Sequence, residues 1–291
     1  MKYLVSTLFC FMVVTVCAWG QDNLLKQLEQ NPTEVDGKVT GIFKGTRLIN
    51  GHSIETREKG NLDFIISHRF GRLNSGAYSL FGLDDSNIRL GLDYAVTEQL
   101  TLGLGRNSLS KVYDGFIKYK LLEQQKGQRT IPFSLVWFSN TSITTFRRPE
   151  LPMNFQRKLG FTHQLLIARK FNESLSLQLS PSFVHRNLAP LRTEDNDLYA
   201  IGIGGRYKIT PRTSLNVEYF YRLGEQVEDT HNALAIGFDI ETGGHVFQLH
   251  LTNAQAMIET GFIPSTGGDF FGGDIHFGFN ISRSFQIGGK R

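Results

Sequence analysis

Neither of the two cysteines in this chain, Cys10 and Cys17, lies beyond residue 17. Disulfide and thiolate chemistry are therefore closed to the rest of it, and its stability must come from elsewhere. Long hydrophobic runs are missing as well. No window after residue 20 holds 18 consecutive apolar residues and the apolar share is only 40%, which excludes helical membrane spans. A dominant charge is also lacking. The formal net charge of +4, falling to +3 without Lys2, gives no reason to expect nucleic acid as a partner.

What is present begins with an export signature. Lys2 supplies a positive start, Leu4 to Cys17 an apolar run, and Ala18-Trp19-Gly20 a small-x-small cleavage site before Gln21. Residues 1–20 read as a secretory signal peptide, the run being too short for a membrane helix. A lipoprotein reading fails on Val16, which stands where a small residue should precede Cys17. Asp22 to Gln30 suits a short helix ended by Asn31-Pro32. Val39 to Lys59 has poor alternation but contains Asn50-Gly51, a turn signal, so residues 21–59 read as an N-terminal periplasmic segment that caps or enters the domain beyond it.

From Gly60 onward one design repeats, stated most plainly between His231 and Gln255. Leu234, Ile236, Phe238 and Ile240 alternate with Ala233, Ala235, Gly237 and Asp239; Phe247, Leu249 and Leu251 alternate with Gln248, His250 and Thr252. This is the period of two of a strand with one apolar face, and Thr242-Gly243-Gly244 between the arms supplies a tight hairpin turn. Twelve such strands are expected, near 60–70, 86–97, 100–107, 111–122, 130–141, 158–171, 174–185, 197–209, 213–224, 231–241, 244–254 and 271–285. Most match the roughly 9 to 11 residues of a tilted membrane strand. Pro132 and Pro181 fall in or near strands, where each costs a ladder hydrogen bond, and should mark strand beginnings, bulges or the membrane margin.

The connections alternate in length. Tight links at 97–99, 172–173, 210–212 and 242–244 interleave with long ones at 71–85, 141–157, 186–196 and 255–270, and only the link at 108–110 breaks the rule. Short periplasmic turns and long outer loops produce this sorting, and an even strand count leaves both chain ends in the periplasm. The pairs Phe64 and Phe70, Tyr113 and Tyr119, Trp137 and Phe138, and Phe270 and Phe271 are placed for interfacial girdles.

Ser67-His68-Arg69-Phe70-Gly71, Phe81-Gly82-Leu83-Asp84, Gly204-Gly205-Arg206-Tyr207-Lys208, Asp239 to Asn253 and Gly278 to Arg283 together resemble an uncharacterised family of Gram-negative outer-membrane β-barrel proteins. The resemblance implies a membrane barrel of unassigned activity and brings no catalytic residues. In one respect the chain departs from many such barrels: Phe285 is followed by six further residues, where an aromatic residue at the very end would resemble the signal read by the outer-membrane insertion machinery.

Parity assigns candidate lumen-lining residues. If Ile275, Phe277, Phe279 and Ile281 face lipid, Asp274, His276, Gly278, Asn280 and Ser282 face inward, as do Gln248, His250 and Thr252. His250 and His276 with Asp274 could share a metal or a proton, set against an ordinary polar lumen network built from Gln248, His250, Asp274, His276 and Asn280. Ser282 with His276 is too far apart along one strand for a nucleophile and its base. Arg69, Arg106, Arg186, Arg206 and Arg283 suit either an anion-selecting constriction or inward ion pairs with Asp63, Asp93, Asp114, Glu218 or Asp239 that plug a narrow barrel. Gly202-Ile203-Gly204-Gly205 lies inside a strand with no helix after it and is no phosphate loop.

The expected architecture is all-β: an antiparallel transmembrane β-barrel of about 12 strands at 60–291, preceded by the signal peptide and the segment 21–59. The expected role is a narrow pore or plugged channel for small polar or ionic solutes. A non-conducting scaffold binding a partner is the alternative, and a membrane-embedded lipid hydrolase is a third. No cofactor, metal or catalysis is expected. The expected partners are outer-membrane lipids, the insertion machinery and a periplasmic protein.

Overall fold

The computed structural model describes residues 37–127, 130–146, 154–188, 195–224 and 229–287. The signal segment and the helix expected at 22–30 lie outside them. The described residues from 39 to 287 belong to one compact unit.

Strict alternation gives each strand a dry outward face and a polar or small inward face. A sheet with such faces closes to hide its polar side and pair its edges. Among the described residues there are twelve strands: β1 (Asn61–Arg72), β2 (Ser86–Ala95), β3 (Leu100–Asn107), β4 (Val112–Leu122), β5 (Ser134–Thr144), β6 (Leu159–Lys170), β7 (Leu175–Arg186), β8 (Asp197–Lys208), β9 (Thr213–Leu223), β10 (Ala233–Thr242), β11 (His245–Thr252) and β12 (His276–Gln286). Each pairs antiparallel with its sequence neighbours. β12 returns to β1 with Ile281 opposite Ile66, closing the barrel.

Tight turns gather at one end of the barrel and long loops at the other; the link 123–133 after β4 is longer than the other turns, and the short link around Leu109–Lys111 is the exception at the loop end. At the turn after β10, Gly243 and Gly244 take φ of 47° and 93°, which side chains with a Cβ rarely adopt. The last strand begins later than its alternation suggests. Asp269 and Asp274 close residues 269–274 into a loop, Asp274 N–H donating to Asp269 O and Asp269 N–H to the Asp274 carboxylate, so pairing starts only at His276.

The lumen is occupied from both ends. From the turn end, Val39 N–H donates to Gln124 O, and the chain then rises into the barrel and turns back before β1. Its inner part is a hairpin: Leu48 N–H donates to Gly51 O, Ser53 N–H donates to Thr46 O, and Arg47 lies opposite His52. From the loop end, the segment 253–275 carries a short helix, α1 (Glu259–Phe262), whose Glu259, Thr260 and Phe262 are buried.

Each insertion has its own apolar seat. Ile42, Phe43, Leu48 and Ile54 pack on Phe116, Val136, Phe138, Leu166 and Ala168 of β4 to β6. Ala254, Phe262 and Ile263 pack on Val184, Ala200, Phe220 and Ala233 of β7 to β10. Phe138, expected in an interfacial girdle, is instead fully buried, because its parity on β5 is inward while Trp137 faces out.

Gly103 shows how closely the hairpin's seat is fitted. A Cβ there would lie 2.0 Å from Phe116 Cε1, and Phe116 is itself held between His52 and Phe138 at ring distances of 4.5 and 5.6 Å. Gly103→Val should therefore cost about 1–3 kcal/mol by overpacking, read as a lower unfolding midpoint of the folded barrel in detergent. An unchanged midpoint would mean that Phe116 moves aside freely.

Candidate functional site

The point at which wall and hairpin grip each other is Glu218, in the middle of β9. Its carboxylate accepts three successive backbone N–H groups of the hairpin tip: Ile49 at 3.2 Å, Asn50 at 3.1 Å, and Gly51 at 3.2 and 3.1 Å to the two oxygens. A tight turn leaves such amides pointing the same way, and an anion satisfies them together. The neighbours make room for this. Gly204 on β8 and Ala235 on β10 stand opposite Glu218, and a Cβ on Gly204 would lie 2.1 Å from Leu48 Cδ2.

Around this centre the wall presents donors to the hairpin's oxygens. Lys118 Nζ donates to Glu55 O at 2.5 Å, and Arg206 Nη1 to Gly41 O and Ile42 O at 2.9 and 3.0 Å. Gln178 Nε2 donates to His52 O at 2.8 Å, and Arg69 Nη2 to Asn50 Oδ1 at 2.9 Å. At the turn-end mouth, Lys44 Nζ meets Glu241 at 2.5 Å.

Of the five residues expected in the lumen, Gln248, His250, His276 and Asn280 are inward-facing and buried. Gln248 Nε2 donates to Leu48 O at 2.9 Å and to Asp239 Oδ1 at 2.9 Å, while Asn280 Nδ2 donates to Ile49 O and Gln248 Oε1, both at 3.0 Å. His250 is buried over Gly278, where a Cβ would lie 2.6 Å from His250 Nε2 and 2.7 Å from Arg69 Cδ. His276 Nδ1 donates to Phe70 O at 2.8 Å. Asp274 is the correction. It sits on the loop-end rim, 3.2 Å from Arg72 Nη1 and accepting from Asn74 Nδ2 at 2.8 Å, because the strand begins after it. The group His250, His276 and Asp274 is thus not brought together, and among the described residues no cluster of three or more His, Cys, Asp or Glu is placed to hold a metal. Hydrogen bonds from Asn74 and the Asp269 backbone hold the Asp274 carboxyl below its ordinary range.

The arginines divide. Arg69 and Arg206 face inward, whereas Arg106 and Arg283 lie over the outward rings of Tyr113 and Phe285. The fully buried ion pair joins Arg89 to Asp114 at 2.5 Å, and Asp63 pairs with Arg57 at 2.7 Å as the chain enters β1. Neither Arg89 nor Arg57 was singled out by spacing in the sequence.

The two insertions meet at a second junction. Glu259 of α1 lies 3.9 Å from Arg47 Nη1 and 4.0 Å from His52 Nε2, both beyond hydrogen-bond length. Burial, followed by the Arg47 charge, depresses His52 well below its ordinary value, so its contact with Glu259 is not an ion pair. Burial pushes the Glu259 carboxyl up to about 7, against the opposing pull of Arg47.

On the outer wall Ser139 Oγ and His163 Nδ1 lie 3.0 Å apart, directly opposite on β5 and β6. Among the described residues no third group holds the other ring nitrogen, so the pair lacks the orienting partner that a nucleophile and its base need.

The family model for the membrane bound beta barrel domain (DUF5777) matches residues 43–285. No curated protein matches the chain. Among solved structures, similarity is found to the NanC porin (8% identity, TM-score 0.49, covering 78% of this chain and 100% of that one). The KdgM porin (9%, 0.46, 77% and 99%) and the outer membrane protein Omp33 of Acinetobacter baumannii (6%, 0.43, 78% and 99%) are similar as well. With its match running from the inserted segment to the penultimate residue of β12, the chain belongs to the family of membrane bound β-barrel domains designated DUF5777.

Proposed function

We propose that this protein is a channel of the bacterial outer membrane, closed at rest by the hairpin at 46–53, that passes small polar or ionic solutes when the hairpin withdraws. The observation that carries this reading is the form of the closure. The hairpin is continuous with β1 at one end and leads out through the turn end at the other. Its tip is held by hydrogen bonds donated to Glu218 rather than sealed by apolar packing alone. Hydrogen bonds to water can replace such contacts, so withdrawal leaves a wettable wall.

In this reading residues 1–20 direct export, the tight turns face the periplasm, and the stretch before Val39 is where a periplasmic partner would take hold of the plug. No catalysis is assigned. A non-conducting scaffold is the second reading, and the double filling of the lumen is what favours it.

Conductance of the folded protein in a planar bilayer tests the two. The native protein should be mostly silent. Gly204→Val, which fills the socket of Leu48, and a variant lacking residues 21–59 should both show current steps. Silence from both variants, with insertion verified, would rule out the hairpin as the closure.

Glu218→Ala leaves three amides without an acceptor, at about 1–3 kcal/mol each. Hydrogen exchange at residues 49–51 should then speed up by about tenfold or more while the strands stay protected. Unchanged exchange would mean that Glu218 does not hold the tip.

Closure should also depend on pH. Seated α1 favours protonated Glu259, whose value is raised by burial among Arg47, His52, Arg89 and Asp114; this contribution is complete below its ordinary 4.5 and lost as pH rises through about 7. Opening events should become more frequent across that range, and Glu259→Gln should flatten the profile. The opposite slope in the native protein would contradict the assignment.

A further inference from the structure

Two costly features of the outer wall play no part in channel closure, and they fall at the same place. One is the pair Ser139 and His163, polar groups on a wall whose neighbours are Trp137, Leu165, Ile167 and Phe183. An ionisable residue on a hydrocarbon-facing surface is expensive and marks function by default. The other is Pro181 in mid-strand. The β6–β7 ladder runs unbroken on either side but is interrupted where Leu165 and Leu166 face Pro181 and Ser180, as expected of a residue with no N–H to donate.

These features lie in two adjoining rows across four strands. Ser139, His163, Phe183 and Tyr199 form the upper row, and Trp137, Leu165, Pro181 and Ile201 the lower. Between them is a shallow open recess of about 260 Å³, lined by Trp137, His163, Gln164, Leu165, Pro181, Ser182, Phe183 and Tyr199. The His163 ring is stacked on Phe183 at 6.3 Å and 9°. His163, Phe183 and Tyr199 lie toward the loop ends of β6, β7 and β8.

We propose that this recess binds one ester-linked acyl chain of a membrane lipid in the loop-end half of the bilayer, with the ester carbonyl hydrogen-bonded to His163. The recess is continuous with the lipid-facing belt, so lipid is what reaches it. Its lining is mainly apolar, from Trp137, Leu165, Pro181 and Phe183, and suits a hydrocarbon chain. An ester carbonyl only accepts, and the Ser139–His163 bond fits that requirement: with Ser139 O–H donating to Nδ1, the ring carries its proton on Nε2 and donates it outward. The proposal is independent of whether the lumen conducts.

Trp137 reports on the site directly, since the only other tryptophan is Trp19. In a Trp19→Phe background, the folded protein is placed in phosphatidylethanolamine vesicles containing a small fraction of brominated-chain phosphatidylethanolamine, and Trp137 quenching is read against that fraction. A binding site gives quenching above the curve for random lipid contact. Ser139→Ala with His163→Phe keeps the stack on Phe183 and removes the polar pair, and Pro181→Val restores the ladder and closes the recess. Each should lose the excess while remaining a folded barrel by circular dichroism. Quenching on the random curve in the unsubstituted site would overturn the proposal, as would an excess that survives in both variants.

Discussion

One carboxylate holds the middle of this molecule together. Glu218 would be among the least comfortable groups in a narrow barrel if left unpaired, since a buried charge without partners costs several kcal/mol. The hairpin tip has the complementary problem, because a tight turn inside a protein has amides with nowhere to donate. Each resolves the other's difficulty. The small residues on β8 and β10, and Gly51 with a Cβ position only 3.1 Å from Phe220, exist to let the two approach.

The same logic extends outward from that contact. A barrel that alternates dry and polar faces directs half of its strand residues into a space too narrow for bulk water, and each polar group there needs a partner. Lys118, Gln178, Arg206, Gln248 and Asn280 find theirs on the backbone of the inserted chain. The hairpin thus supplies partners to these wall groups, and α1 does the equivalent at the other end, with Ser142 Oγ 2.8 Å from Thr260 Oγ1. Where the two insertions meet, Arg47 and Glu259 stand 3.9 Å apart without a hydrogen bond between them.

The strands were legible because a wall between lipid and a polar interior writes a period of two into the chain. Loop lengths were legible because the two ends of the barrel face different surroundings. The hairpin was legible only in its turn, Asn50-Gly51, and for a physical reason: buried on all sides, residues 46–53 have no single wet face and so carry no period. A signal for it did exist in Gly202, Gly204, Ala233, Ala235 and Gly237, small inward residues on two strands flanking Glu218 and Phe220, which leave a hollow that something must fill. Gln248, His250, His276 and Asn280 point inward, as parity alone requires. Asp274 was misplaced because the side-chain hydrogen bonds of Asp269 and Asp274 end the alternation early. Ser139 and His163 required the register between two strands joined by a long link, which periodicity does not contain.

The hairpin also dictates an order of assembly. It stands immediately before β1, yet the groups it binds lie late in the chain, with Glu218 167 to 169 positions away and Gln248 200 or 201. When the first strands form, the segment has almost nothing to hold, and its socket exists only once β8 to β11 have been laid down. β1 meanwhile must wait for β12 to close the ring. The two late events coincide at one seam, so the last strand to arrive shuts the wall around a tether already leading inside. Contacts of such long range form slowly, and a chain halted before β8 would carry a stopper with no socket to receive it.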